Sequence, residues 1–326
     1  MYLRGKITVI LLMTSLLLAM GGCGGHNPQP AGEQPIPIKV GMMPITDNLP
    51  FWVAEENGYF AEEGLKVELV PFPSALERDS AFVAGQIDAG VGDLLAVAAM
   101  NNSGAEVRAV SVAQGAVPGE NRFAILAAPG SDITSSEQLK NVPIALSLNT
   151  VNEYITDSLL GARGLQPEEI DKTNIVKLPI RLDSLLNGQV KAAVLPDPFA
   201  TLAEIKGACL VLDNTENTVA QTVVIVRKEA LAANLPGIRK LMHAYARAVE
   251  DLQSDPMQYE TLLSAKARVP EDVLSSNEHP LALHFSAPGL PDRDGLEKTI
   301  AWMKDHDLLQ KELSYDDLVD GRVINK

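Results

Sequence analysis

Apolar and polar positions follow two different periods along this chain, and the two periods alternate in a regular order. In the run 66–70, Val67 and Leu69 face one way and Lys66 and Glu68 the other, a period of two that predicts a strand. Short apolar runs at 36–40, 87–91, 144–147, 175–178 and 190–195 predict further strands. Pro37 puts the first of them near a sheet edge or at a strand start. Helical patterns fall between them, at 50–58, 77–84, 94–100, 151–162 and 182–187. Pro50 suits the first turn of the first helix and Gly58 its end, and Gly164 follows the helix at 151–162. Strands separated by helices imply parallel βαβ units, so the class is α/β. Towards the C-terminus, Ile238, Leu241, Met242, Tyr245, Val249 and Leu252 recur at steps of three and four, as do Leu296, Ile300 and Met303. These are packing faces of amphipathic helices.

The pattern also repeats itself. The run 84–91, which includes Gly85, Gln86 and Ile87, aligns with 187–194, which includes Gly188, Gln189 and Val190, at an offset of 103 residues. Each copy closes a helix on glycine, turns, and runs a small-residue strand towards Asp93 or Asp197. Two similar lobes facing one another produce such a repeat; so do the look-alike helix–glycine–strand junctions of any α/β protein.

The first 35 residues stand apart from this order. Arg4 and Lys6 precede an apolar run over 7–20 that ends in Gly21 and Gly22. This arrangement describes a secretory signal, and the run is shorter than the roughly 20 residues a membrane-spanning helix needs. Met20-Gly21-Gly22-Cys23 resembles a bacterial lipobox, with Met20 where leucine is usual. It implies cleavage before Cys23 and lipidation of that thiol; an ordinary signal followed by an incidental cysteine is the other reading. Residues 24–35 are rich in glycine and proline and lack periodicity, which suits a flexible tether. The domains expected are therefore a signal peptide at 1–22, a tether at 23–35 and a folded remainder. With Arg4 and Lys6 removed, the formal charge moves from −15 to −17. Nucleic-acid binding asks for a basic stripe, so no nucleic-acid partner is expected. Cys209 alone remains beside Cys23, which leaves no internal disulfide, and its neighbours read it as a small buried apolar residue.

Several local motifs carry a family resemblance: Pro44-Ile45-Thr46-Asp47, Gly58-Tyr59-Phe60, Glu63-Gly64-Leu65, and Gly85-Gln86-Ile87-Asp88 with Asp93. Together they resemble the substrate-binding proteins of nitrate, sulfonate and taurine importers (the SsuA/THI5-like, NMT1-like group), which also includes thiamine-precursor binders. The resemblance spans about 36–230. It implies a two-lobed fold of the periplasmic-binding-protein type II, each lobe a mixed, mostly parallel sheet flanked by helices. Lobe 1 is expected at 36–124 plus 222–326 and lobe 2 at 125–221, with crossing strands at 122–127 and 220–226 as the hinge. The implied function is capture of a small organic solute (a sulfonate, a taurine-like or a thiamine-precursor-like compound) in the inter-lobe cleft by lobe closure. The implied partners are an ABC permease with its ATPase, and the membrane through lipid on Cys23. The protein would work as a monomer on the extracytoplasmic side, in the periplasm or at the outer face of the cytoplasmic membrane, with no cofactor.

Ligands of open α/β sheets bind beyond the carboxyl ends of the strands, where helix N-termini offer unpaired N–H groups. The candidate ligand-binding residues are therefore those of the strand-to-helix turns: Thr46, Asp47 and Asn48; Ser74; Gly92 and Asp93; Ser147, Asn149 and Thr150; and Asp197. Asp47 or Asn48 can equally cap the helix that follows. Phe51 is the candidate for stacking on a ligand, with Trp52 in the core. No arginine falls within these turns, and arginine is the usual bidentate partner of an oxyanion. The cleft is thus expected to prefer a neutral or amine-bearing heterocycle, or a zwitterion, over nitrate or a simple alkyl sulfonate. No catalytic or metal-binding set emerges, since His26, His243, His279, His284 and His306 are scattered and form no metal-ligand spacing. Carboxylates at Asp47, Asp93 and Asp197 serve cation binding as readily as acid–base chemistry. The expectation is a binding protein and not an enzyme. The alternatives are an enzyme on the same fold, like the thiamine-pyrimidine synthases whose cysteine-rich motif is missing here, and a ligand-presenting partner of a membrane sensor.

Overall fold

The computed structural model describes residues 37–216 and 221–324, so the signal segment 1–22, the tether 23–35 and the lipidation position Cys23 lie outside the described residues. Among the described residues ten strands form two five-stranded sheets. The first contains β1 (Ile38–Met42), β2 (Val67–Pro71), β3 (Ala89–Asp93), β4 (Val107–Gln114) and β10 (Thr222–Arg227), in the order β2-β1-β3-β10-β4. The second contains β5 (Phe123–Ala127), β6 (Ile144–Leu146), β7 (Lys172–Asn174), β8 (Ala192–Pro196) and β9 (Cys209–Asp213), in the order β7-β6-β8-β5-β9. In each sheet three neighbouring strands run parallel and the fourth is antiparallel to both its neighbours. That antiparallel strand, β10 or β5, is the one the chain enters straight after crossing from the other sheet.

The chain ahead of β5 and the chain that follows β9 are tied to each other at 119–123 and 214–215. Gly119 donates its N–H to the Thr215 carbonyl at 2.8 Å, and the Asn214 side chain bonds both the Asn121 carbonyl (2.9 Å) and the Phe123 N–H (2.7 Å). The buried Glu120 carboxylate accepts from the N–H groups of Gly115 and Ala116, each at 2.9 Å, and from the Ser286 hydroxyl at 2.7 Å. Buried backbone needs such partners wherever it leaves a sheet.

The helices of seven residues or more are α1 (Leu49–Glu56), α2 (Ala75–Val83), α3 (Leu94–Ser103), α4 (Val151–Ala162), α5 (Leu178–Leu186), α6 (Phe199–Ile205), α7 (Lys228–Ser254) and α8 (Arg293–Asp305). The stripe at 238–252 is buried along α7, which kinks at Asn234 just before Pro236. Leu296, Ile300 and Met303 of α8 join the same apolar cluster as Val97 of α3 and Ile125, Leu146 and Ile155 of the second sheet's layers. One core therefore runs from the first sheet's helices to those of the second. Edge-to-face packing of Tyr154 on Trp302, with centroids 5.5 Å apart, belongs to that junction. Among the described residues no helix is long and apolar enough to cross a membrane.

Two local expectations need correction. The run 175–178 is not a strand: β7 is the polar Lys172–Asn174, and Leu178 already begins α5, with Pro179 in its first turn. Among the described residues β7 lies at the sheet edge and pairs only with β6, so it needs no apolar run, whereas proline in a helix's first turn loses no hydrogen bond. Of the two places offered for Pro37 the strand start is the one found, since β1 begins directly after it and sits inside the sheet between β2 and β3. Cys209 is half-buried on β9, less enclosed than its neighbours suggested.

Candidate functional site

The carboxyl ends of the parallel strands from both sheets converge on one cavity of about 390 Å³. Its wall holds Thr46 and Asp47 after β1, Ser74 after β2, and Gly92 and Asp93 at the end of β3. From the second sheet come Ser147, Asn149 and Thr150 after β6, and Asp197 after β8. These nine of the eleven sequence-predicted positions are thus brought together. Capping and lining coexist in several of them. Asp93 caps α3 through the Ala96 N–H at 2.8 Å, Thr150 caps α4 through the Asn152 N–H at 3.2 Å, and Ser74 caps α2 through the Glu77 N–H at 3.3 Å.

Asn48 and Phe51 are not part of the wall. Asn48 is fully buried and donates its side-chain amide to the Met43 carbonyl at 3.0 Å, which pins the turn from β1 into α1 without capping the helix. Phe51 packs in the core against Tyr245, with ring centroids 4.9 Å apart, and Trp52 is buried in the same cluster.

Three arginines line the cavity, and none comes from a turn. Arg78 of α2 bonds the Val91 carbonyl through Nη1 at 2.6 Å and holds Asp79 Oδ1 through Nε and Nη2 at 2.9 and 2.7 Å. Arg181 of α5 bonds the Val194 carbonyl through Nη1 at 2.8 Å, the Asn152 side chain at 2.8 Å and the Ile175 carbonyl through Nε at 2.8 Å. Arg122, at the end of the first crossing, meets Glu204 at 2.8 Å, Asp213 at 3.1 Å and Asp197 at 3.6 Å.

The repeat predicts where two of these residues had to be. Arg78 and Arg181 are 103 residues apart, as are their acceptors Val91 and Val194. The turns between helix and strand match in the same register. Gly85 and Gly188 have φ of 67° and 66°, and donate to Phe82 and Leu185 at 3.0 Å each. Gln86 and Gln189 donate to Ala81 and Ser184 at 2.8 and 2.9 Å. Extending the alignment by six residues would have found the arginine pair from sequence.

Charge is arranged unevenly on this symmetric frame. Burial pushes the carboxyls of Asp47 and Asp93 above the ordinary range, with the Arg78 charge pulling the other way. Burial raises Asp197 likewise, opposed by Arg122. For Arg122 itself burial favours the neutral form, but the Glu204 hydrogen bond and the charges around it reverse this and raise it above its usual value. Burial lowers the Arg181 guanidinium to about 10, which leaves it charged at neutral pH. Nucleophile–base pairing is not part of this set, and the polar groups present can hold and orient a small polar molecule.

Comparisons with known proteins agree with this geometry. Residues 45–259 match the model of the NMT1/THI5-like family. An ABC transporter periplasmic binding protein of Brachyspira hyodysenteriae is 24% identical over 267 residues, which is 77% of this chain and 75% of that one. The alkanesulfonate-binding protein SsuA of Xanthomonas axonopodis pv. citri, solved bound to MOPS, superposes with a TM-score of 0.75 at 18% identity, over 88% of this chain and 99% of that one. The periplasmic aliphatic sulphonate binding protein SsuA of Escherichia coli gives 0.74 at 18% identity, over 87% and 97%. At these identities the two structures show the shared periplasmic-binding-protein fold, and the family match covers most of the chain: this protein belongs to the NMT1/THI5-like family.

Proposed function

We propose that this protein is the extracytoplasmic, lipid-anchored solute-binding component of an ABC importer, and that it captures a small organic solute in the cavity between its two sheets. The observation that carries the reading is the cavity wall itself, which takes polar side chains from the strand-to-helix turns of both sheets. A ligand that touches both walls stabilises the conformation in which they approach, and only such differential contact can shift the population towards closure. The crossing strands at 122–127 and 220–226 are the segments about which the lobes, 36–124 plus 222–326 and 125–221, would rotate. The closed form is then what a permease and its ATPase distinguish from the empty one. The relatives named for sulfonates make sulfonates the first solutes to try, and the family resemblance adds aminosulfonates and thiamine-type pyrimidines.

Titration calorimetry and small-angle scattering on the same samples test this. A solute from that panel should bind with micromolar affinity or tighter, and saturation should shrink the radius of gyration. Binding with an unchanged radius would remove closure, and a panel in which nothing binds or raises Tm would remove the solute-binding reading. The anchor has its own test. In a bacterial host the full chain should partition with membranes and take up labelled palmitate, and Cys23→Ser should lose both. A variant that still partitions with membranes would show that lipid on Cys23 is not the tether.

A further inference from the structure

The two halves of the repeat place matching arginines at the cavity but leave them in opposite electrical surroundings. In the first copy Arg78 is followed by Asp79, which takes up its charge. The position 103 residues on, after Arg181, holds the buried Leu182. Arg181 is only 1% exposed and has no carboxylate at ion-pair distance among the described residues. Its Nε and Nη1 are committed to backbone and amide oxygens at 2.8 Å, while Nη2 makes one long contact, 3.4 Å to the Val176 carbonyl. A buried guanidinium with a spare N–H and no counter-charge favours an anion beside it.

The opposite wall has the complementary excess. Asp47 and Asp93 lie there, and Arg78, whose charge reaches both, is already committed to Asp79. Thr222 pairs in the sheet with Asp93 on one side and Gln114 on the other, so the three residues share one sheet edge. Gln114 Oε1 is buried without a hydrogen-bond partner among the described residues, and the Thr222 hydroxyl faces the Asp47 carboxylate. Gln114 spends its N–H on the His284 carbonyl at 2.9 Å, which fixes Oε1 as the free end. Unpaired buried acceptors are costly unless a donor reaches them. An ammonium or protonated heterocyclic nitrogen supplies several donors and a positive charge together.

We infer that the cleft is built for a zwitterion, with its anionic group against Arg181 on the second sheet's side and its cationic nitrogen against Asp47, Asp93 and Gln114 on the first. The inference rests on the solute-binding reading and names the class of solute. It also explains how a cleft can signal occupancy, because only a molecule with both charges satisfies both walls at once.

Matched ligands separate the two walls without altering the protein. Aminopropanesulfonate, propanesulfonate and propylamine share one carbon chain and differ only in which charges they carry. Calorimetry on the full chain should find the aminosulfonate at least about 30-fold tighter than either of the others, as expected for losing one charge-assisted set of hydrogen bonds. Propanesulfonate binding as tightly as the aminosulfonate would overturn the cationic subsite, and propylamine doing so would overturn the anionic one; solute binding would stand in both cases. Failure of all three would overturn the inference, and the wider panel above then decides separately whether solute binding falls too. Asp47→Asn should weaken the aminosulfonate about tenfold while propanesulfonate binds no worse, since a repelling carboxylate has gone. Equal weakening of both ligands would mean that Asp47 shapes the cleft rather than receiving the cation. Arg181→Lys, checked by its melting curve, should weaken the aminosulfonate and propanesulfonate together and leave propylamine alone; unchanged sulfonate affinity would count against Arg181.

Discussion

Arg122→Met is expected to cost the ligand-free protein about 3–5 kcal/mol, the range for removing one partner of a buried ion pair. Arg122 is the single guanidinium between Glu204, Asp213 and Asp197, all of which are less than about a sixth exposed. Without it three carboxylates face one another in poorly solvated surroundings. For a chain of this size the loss corresponds to a fall in Tm of about 10 °C. The defect should also depend on pH in a definite direction. Burial already raises the folded-state pKa of Asp197, so its ionised form opposes folding, and that cost is switched on as pH rises through the raised value. Arg122 opposes this shift, and removing it raises the carboxyl further. The gap between variant and wild type should therefore be widest at neutral pH and narrow on acidification towards the ordinary carboxylate range. Melting curves from pH 8 to pH 4 check it. A constant gap would mean that the lost packing of the arginine stem matters more than its charge. Arg122→Lys should fall in between, since lysine keeps the charge but loses the fork that reaches Glu204 and Asp213 together.

Much of the frame was legible in the chain because it depends on local period. The alternation at 66–70, the proline and glycine around α1 and the stripe on α7 each report a burial pattern that one element can express alone. The turns of the site were legible for the related reason that carboxyl-end turns face ligands in such sheets. What escaped depends on distance. Arg78 and Arg181 start from helices and reach across to strand carbonyls 13 residues later, so no inspection of the turns could place them at the cavity. The solute preference drawn from turns without arginine rested on an incomplete inventory, because Arg78, Arg122 and Arg181 reach the cavity from outside those turns. Phe51 failed for another reason. Leu49 to Ala54 are all buried, so α1 is apolar on every side until the exposed Glu55 and Glu56 at its end, and a segment of that kind is enclosed rather than presented to a cleft. β7 was missed because an edge strand of lysine, threonine and asparagine carries no apolar signal.

The symmetric frame also identifies a place where a neighbouring backbone leaves the first sheet little room. Gly90 in β3 corresponds to Ala193 in β8 at the same offset of 103 residues, so one copy accepts a methyl group that the other omits. The reason is distance. A Cβ at Gly90 would lie 3.0 Å from the Gly41 carbonyl oxygen on β1 and 3.2 Å from the Phe82 ring on α2. A ring can shift by a few tenths of an ångström, but a carbonyl held in the neighbouring strand cannot move without disturbing the parallel β1–β3 pairing. Overpacking a tight core costs about 1–3 kcal/mol for small insertions, and Gly90→Val adds three carbons against two neighbours. We expect a loss of at least about 3 kcal/mol and a Tm lower by about 10 °C. Gly90→Ala should lose less, and adding Phe82→Leu to it should recover only part, because the carbonyl contact remains. Full recovery in that double variant would place the whole penalty on the ring. Near-normal stability of Gly90→Val would mean that β1 and β3 can separate, and that the close approach of α2, which brings Arg78 to the cavity, does not require glycine at this position.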